Sequence, residues 1–223
     1  MLKPYGKGKL SKRDGDRLGF PVFPMQWTDP KTGEKSSGYK ESGYFPDAFI
    51  NMLALLGWNP GDEREIMDKQ EMSVSFSLNH VSKSGAKFDP VKAKWFNHQY
   101  LVKADINDIL KELKPLLKPQ NIPIPNDEKL KSIIALVRDR ADFIKDLPDV
   151  GNYFFVAPKT YNQSDVKKHS TPDSATWLNS LLNNIETAEW ASQSIDVALS
   201  AFIKENSLPA GKIYNILRIA MVG

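Results

Sequence analysis

The sequence predicts a mainly α-helical protein, and three observations carry that expectation. Apolar residues recur at a helical period from Asp105 onward, residues that cap or stop helices stand at the ends of those runs, and no alternating strand and helix pattern precedes Lys9. With 41% hydrophobic and 26% charged residues, the chain has the makings of one or two packed cores.

The first forty residues are rich in Gly, Pro and Lys and read as loops with one short strand around Phe20 to Phe23. Within them WTDPKTGEKSSG, residues 27–38, is dense in turn formers and reads as a surface hairpin. From Tyr44 the texture changes. Pro46 suits a first helical turn, Phe49, Met52, Leu53 and Leu56 recur at helical spacing, and Gly57 is placed to stop the helix in a left-handed conformation. Asn59-Pro60-Gly61-Asp62 makes a turn, and Trp95, Phe96 and Tyr100 read as core residues of a further short helix.

Asp105 is placed to cap a helix carrying Ile106, Ile109, Leu110, Leu113 and Leu117, ended by the prolines of segment 118–125. Asn126 caps a longer one with Leu130, Ile133, Ile134, Val137, Ala141 and Ile144, closed at Leu147-Pro148. The run Tyr153 to Val156 fits a strand or a buried loop equally. Thr171-Pro172 opens a helix with Trp177, Leu178, Leu181, Leu182 and Ile185. Thr187 begins the next, with Ile195, Ala198, Leu199, Phe202 and Ile203. The last, from about Ala210 to Met221, displays Ile213, Ile216, Leu217 and Ala220, with Gly223 as a helix stop.

Composition excludes several chemistries. Without cysteine there is no disulfide, thiolate nucleophile or thiolate metal site, and three scattered histidines (His80, His98, His169) do not make a histidine-rich one. The carboxylates Asp62, Glu63, Glu65 and Asp68 read as a charged surface after a turn, so no metal site is expected. No apolar run of about 20 residues and no signal peptide is present, so the chain reads as cytoplasmic, with no membrane partner. For the same reason the glycosylation pattern Asn162-Gln163-Ser164 reads as a chance match.

Charge is uneven. Residues 1–40 hold nine basic and four acidic side chains, and the remainder holds 21 and 23, within an overall formal charge of +3. A local basic excess suits phosphate at one end of the molecule and does not suit indiscriminate coating of nucleic acid; a solvated leader has the same composition. The excess centres on Gly6 to Gly19, GKGKLSKRDGDRLG, where three cations and a hydroxyl (Lys9-Leu10-Ser11-Lys12-Arg13) sit on a chain loosened by Gly6, Gly8 and Gly15. Such a loop can fold over a polyphosphate, ammonium groups offsetting the oxygens and glycines admitting backbone N–H groups. It matches neither the Walker spacing nor the dinucleotide GxGxxG spacing.

Lys9-Leu10-Ser11-Lys12-Arg13 resembles the KMSKS signature of class I aminoacyl-tRNA synthetases, in a variant with Leu10 for methionine and Arg13 for the final serine. GYFPDAFINMLALLGWNPGD (43–62), VSKSGAKFDPVKAKWFNHQYL (81–101) and GKIYNILRIAMVG (211–223) follow in order and resemble stretches of bacterial glutamyl-tRNA synthetase. Residues 20–40 depart from that pattern as added residues.

The resemblance implies a parent enzyme that activates glutamate with ATP and Mg2+ and transfers it to tRNA(Glu). Lys12 would be the principal lysine stabilising phosphate charge as pyrophosphate leaves, Lys9 would assist, and Leu10, Ser11 and Arg13 would complete the ATP-binding loop. No HIGH-type histidine motif and no nucleotide-binding βαβ pattern precedes Lys9, so a C-terminal piece without the Rossmann catalytic domain is expected, inactive alone and without cofactor of its own. Residues 1–103 would form the stem-contact region with the signature loop, and 104–223 an α-helical anticodon-binding region cut at its end; the piece would be monomeric.

For RNA contact the candidates are Lys83, Arg138, Arg140 and Arg218, with Lys87, Lys92 and Lys94 near the first. The competing readings are ion pairs of the arginines with neighbours such as Asp139 and Asp142, and a solvated face for the lysines. Trp177 and Trp190 read as core. Two rivals stay open: a glutaminyl or non-discriminating synthetase, and a non-enzymatic helical RNA-binding module.

Overall fold

The computed structural model describes residues 2–5, 7–11, 14–118 and 124–223. Contacts divide the chain into two compact units, Met1–Asn152 and Tyr153–Gly223. The functional division expected at 103/104 falls inside the first unit.

In the first unit the chain enters along Leu2, which bridges Lys9 in antiparallel and Lys87 in parallel fashion. A short helix α1 (Asp14–Leu18) follows, then strands β1 (Trp27–Thr28) and β2 (Lys35–Ser36), paired antiparallel with Trp27 opposite Ser36. This is the expected hairpin. Asp29 shapes its turn by accepting from the N–H groups of Lys31 and Thr32 at 2.8 and 3.3 Å. The strand expected at Phe20 to Phe23 is not formed: Phe23 makes one isolated bridge to Gly38, while Phe20 is buried with its ring 4.9 Å from Phe88. The apolar run supplies core side chains from an irregular backbone.

After the short α2 (Tyr39–Ser42), α3 (Pro46–Leu55) begins with Pro46 in its first turn, as expected. The left-handed stop at Gly57 does not occur: Gly57 is not among the glycines with positive φ, and Leu56 ends the helix right-handed at φ −66° and ψ −24°. A helix that the apolar pattern did not announce, α4 (Lys69–Ser75), is started by a capping box: Asp68 accepts from Glu71 N–H at 2.7 Å, and Glu71 accepts from Asp68 N–H at 2.8 Å.

Helix α5 (Pro90–Lys103) packs on α3 and buries Phe96 and Leu101. Phe96 joins Phe20, Tyr39, Tyr44, Phe88 and Phe143 in an aromatic core. Of the trio expected inside, Phe96 is buried, Tyr100 is half-buried, and Trp95 is 37% exposed, edge-on to Phe96. Tyr100 donates from its hydroxyl to Met67 O at 2.8 Å and to Asn51 Oδ1 at 3.1 Å. Burial, with the charges of Asp47, Asp68 and Glu71, pushes that hydroxyl up to about 12, so it stays a donor at neutral pH.

Helices α6 (Ile106–Leu117) and α7 (Asp127–Val137) follow, capped as expected by Asp105 and Asn126, whose side chains accept from Asn107 and Lys129 N–H at 2.8 and 2.9 Å. They pair through Ile109, Leu113, Leu117, Leu130, Ile134 and Val137, all at most 1% exposed. The prolines expected to end α6 lie at 119–125, of which 119–123 fall outside the described residues. The helix expected to run on through Ala141 and Ile144 to Leu147 ends at Val137 instead: 3₁₀ turns at Arg138–Arg140 and Ile144–Asp146 break it, and the short α8 (Leu147–Val150) brings the chain to the end of the unit.

The second unit holds α9 (Gln163–His169), α10 (Ser174–Glu186), α11 (Ser192–Glu205) and α12 (Ala210–Val222). The run Tyr153 to Val156 opens in a 3₁₀ turn, not a strand. Asn162 is the N-cap of α9, accepting from Ser164 and Asp165 N–H. Leu181, Leu199, Phe202 and Ile213 form the core, with Trp177, Ile185, Ile203, Leu208 and Leu217 against it. Two expectations are corrected. Leu182 is 52% exposed because it follows Leu181 by about 100° around the helix. Trp190 is 76% exposed because α11 starts at Ser192, not Thr187, leaving Trp190 on the connection. Gly223 closes α12 left-handed at φ +88°, its N–H reaching Ile219 O at 2.9 Å. Among the described residues no helix is long and apolar enough to cross a membrane.

Candidate functional site

The signature loop is held by its flanks. Leu2 N–H donates to Ala86 O at 2.8 Å, Phe88 N–H to Leu2 O at 3.3 Å, and Lys3 N–H to Gly8 O at 3.1 Å. Gly8 makes the reversal at φ +109°, a conformation a side chain would strain. Lys9 therefore leaves the bridge with its side chain exposed, Leu10 packs half-buried on the aromatic core, and Ser11 is exposed. Lys12 and Arg13, expected to contact phosphate, lie outside the described residues.

The chain then meets Asp14, which is 4% exposed. Its Oδ2 accepts from both Ser11 N–H at 2.8 Å and Ser11 Oγ at 2.6 Å. Its Oδ1 meets Lys3 Nζ at 3.1 Å and Arg17 Nη2 at 2.8 Å. The Ser11 hydroxyl and amide, then Lys3 and Arg17, outweigh burial and hold the carboxyl well below the usual carboxylate range. Gly15 makes the knot possible, since a Cβ there would sit 2.5 Å from Val22 Cγ2 and 2.8 Å from Phe20 O. Sequence reasoning passed over Asp14, although Ser11-x-x-Asp14 spells a capping-box pattern.

Chemically, the loop presents Lys9 to solvent near a fixed Ser11, while Asp14 is committed to its cations and not open to a metal. Among the described residues no group of three or more His, Asp or Glu side chains is arranged to hold a metal ion. A polyphosphate with its own magnesium is compatible with that arrangement: a cationic loop needs no protein carboxylate to take the anion.

The RNA candidates are spread. Lys83 is exposed on the loop leading to Gly85, where an added Cβ would meet the Leu2 side chain at 3.3 Å. Lys87 and Lys94 are also exposed, and Lys92 pairs with Glu65. Arg138 and Arg140 share one 3₁₀ turn; Arg138 donates to Ala104 O at 3.4 Å, and Arg140 is exposed. Arg218, in the second unit, meets Asp165 at 3.4 Å. One feature the sequence hid is a cleft of about 880 Å³ in the first unit, lined by Trp95, His98, Arg140, Asp142, Lys94 and Lys145 among others. His98 is set there by its Nδ1, 2.8 Å from Ala141 O, a structural role.

Two family models divide the chain. Residues 5–95 match the catalytic domain of class I tRNA synthetases (E and Q), and residues 105–223 match the anticodon binding domain. The two matches together define a class: a polypeptide in which a part similar to the catalytic domain of class I tRNA synthetases precedes an anticodon binding domain. The chain belongs to this anticodon binding domain family, and relatives that it matches over its whole length include glutamate–tRNA ligases.

It is 46% identical over 224 residues to the glutamate–tRNA ligase of Phocaeicola vulgatus and 43% identical over 224 residues to that of Porphyromonas gingivalis, each match covering 100% of this chain. A crystal structure of a glutamate tRNA ligase from Elizabethkingia meningosepticum in complex with its amino acid superposes with a TM-score of 0.91 at 44% identity, over 100% of this chain and 44% of that one. A glutamate–tRNA synthetase structure from Elizabethkingia anophelis gives 0.90 at 43%, with the same coverage. The chain spans 44% of the length of these relatives.

Proposed function

We propose that the chain works as the tRNA-binding, loop-bearing part of an ATP-dependent glutamate–tRNA ligase. The observation that carries this reading is the match at 43% identity or more over its whole length to glutamate–tRNA ligases, with the cationic loop intact at Lys9 to Arg13. In that reaction glutamate is activated by ATP with Mg2+ and passed to tRNA(Glu). Lys9 and Lys12 stabilise the phosphate charge that grows as pyrophosphate departs, and the bond from Ser11 to Asp14 keeps the loop's course defined. Leu10 seats the loop on the core, and Arg13 adds a further positive charge to its sequence.

In this proposal residues 1–103 contact the tRNA stem and 104–223 read the anticodon arm, with Lys83, Arg138, Arg140 and Arg218 as RNA contacts. Exposed Trp190 adds a ring on which an unstacked base can lie. Glutamate activation depends on a nucleotide-binding domain outside this chain, which works as a monomer in the cytoplasm. The family description spans both E and Q types, so glutaminyl specificity is the second reading.

Titrating tRNA(Glu) and tRNA(Gln) against the 223-residue chain across a salt series tests this. The expected outcome is tighter binding of tRNA(Glu), with a log–log slope corresponding to more than about two released counterions. A shallower slope overturns the RNA reading, and preference for tRNA(Gln) establishes the second one. Glutamate-dependent ATP–pyrophosphate exchange by this chain alone would contradict the division of labour.

A further inference from the structure

The group that organises the signature loop is neither of its lysines but a carboxylate beyond it. Asp14 is 4% exposed, yet it carries four polar contacts, each to a residue near the loop in sequence or space. Oδ2 takes the amide and the hydroxyl of Ser11 at 2.8 and 2.6 Å. Oδ1 takes Arg17 at 2.8 Å and Lys3 at 3.1 Å, and Lys3 belongs to the stretch whose N–H closes on Gly8 O. The carboxylate thus ties together the chain before the loop, the centre of the loop and the helix after it.

We propose that Asp14 is the positioning residue of the loop: by holding Ser11 through both of its donors, it fixes the course of the backbone from which Lys9 leaves toward a polyphosphate. This rests on the reading of the loop as a phosphate seat. The carboxylate touches no phosphate itself. An acid so close to a cationic loop lowers the loop's net attraction for an anion, so its presence is a cost unless order is what it supplies. Its ionised state is secured at any physiological pH by the same four contacts.

That opposition fixes the sign of the test. Replacing Asp14→Asn removes one negative charge, so charge alone makes inorganic tripolyphosphate bind more tightly. A positioning role makes it bind more weakly, by about tenfold, the cost of ordering roughly one residue's backbone on binding. The experiment measures tripolyphosphate affinity of the 223-residue chain and of Asp14→Asn, Asp14→Glu and Ser11→Ala variants, with amide exchange at Ser11 and in α5 to α7 followed in parallel.

Weaker binding in Asp14→Asn, faster Ser11 exchange and unchanged α5 to α7 support the proposal, with partial recovery in Asp14→Glu and an intermediate loss in Ser11→Ala. Equal or tighter binding in Asp14→Asn overturns it. Loss of protection throughout α5 to α7 in Asp14→Asn gives Asp14 a general structural role and shifts the decision to Ser11→Ala, where unchanged affinity also overturns it. Absence of tripolyphosphate binding by the unsubstituted chain at low salt overturns the phosphate-seat reading itself, which is distinct from binding that Asp14 does not influence.

Discussion

The two units are built by different means. The second is four helices whose core is Leu181, Leu199, Phe202 and Ile213, joined by apolar contact, local caps such as Asn162 and polar ties at the surface such as Arg218 with Asp165. The first adds long-range polar ties to its aromatic core. Asn97, fully buried, donates to Asp142 O at 2.7 Å and accepts from Phe45 N–H at 2.8 Å. Asn51, equally buried, accepts from Met67 N–H at 3.0 Å and from Tyr100. Asp14 makes a buried tie of shorter span at the loop, to Ser11 and Arg17 three residues away and to Lys3 eleven away. Apolar packing tolerates small shifts, whereas a buried amide or carboxylate with defined partners permits one arrangement. The unit that carries the loop is the one built with such ties.

Truncating each kind of anchor sharpens that contrast. Phe202→Ala removes the largest core side chain of the second unit, with an expected loss of about 3–5 kcal/mol. Amide exchange is expected to rise through α10 to α12 while α5 to α7 stay protected; a rise spread evenly over both units would break the distinction.

Asn97→Ala leaves Phe45 N–H and Asp142 O without their partner, at an expected loss of about 2–4 kcal/mol. Denaturant unfolding followed at the Tyr44 and Phe143 contact reads it. A loss below about 1 kcal/mol would mean that the amide matters less than the rings around it.

The smallest effect is in pH. Asp14 titrates below its ordinary 3.8, so its contribution is complete above that value and is lost as pH falls through the lower folded value. Acid unfolding of the first unit is expected to become shallower below about pH 4 in Asp14→Asn. An unaltered acid profile would show that the four contacts do not act on stability.

This contrast also explains what could be read from the sequence. The helices at Ile106–Leu117, Asp127–Val137 and Ala210–Val222 were legible because periodicity and caps such as Asp105 and Asn126 are local signals. Helix α4 escaped because it is seven residues long and buries one of them, Met72, so only its capping box announced it. Leu182 and Trp190 were misplaced because a stripe two residues wide, or a helix start five residues early, is consistent with the same letters. The loop was legible by motif. Its organiser was not, since burial of Asp14 depends on Lys3, Arg17 and the tight approach at Gly15, which only the folded chain brings together. The cleft beside Trp95 and the tie from Asn97 to Asp142, 45 residues apart, are likewise products of tertiary structure.

The central claim, that the helical region reads the anticodon arm of tRNA(Glu), is tested most directly by competition between tRNA(Glu) and the same transcript with its three anticodon bases replaced. The account predicts that the altered transcript binds the 223-residue chain at least about tenfold more weakly, the effect of one lost base contact. Equal affinity for the two transcripts would contradict it.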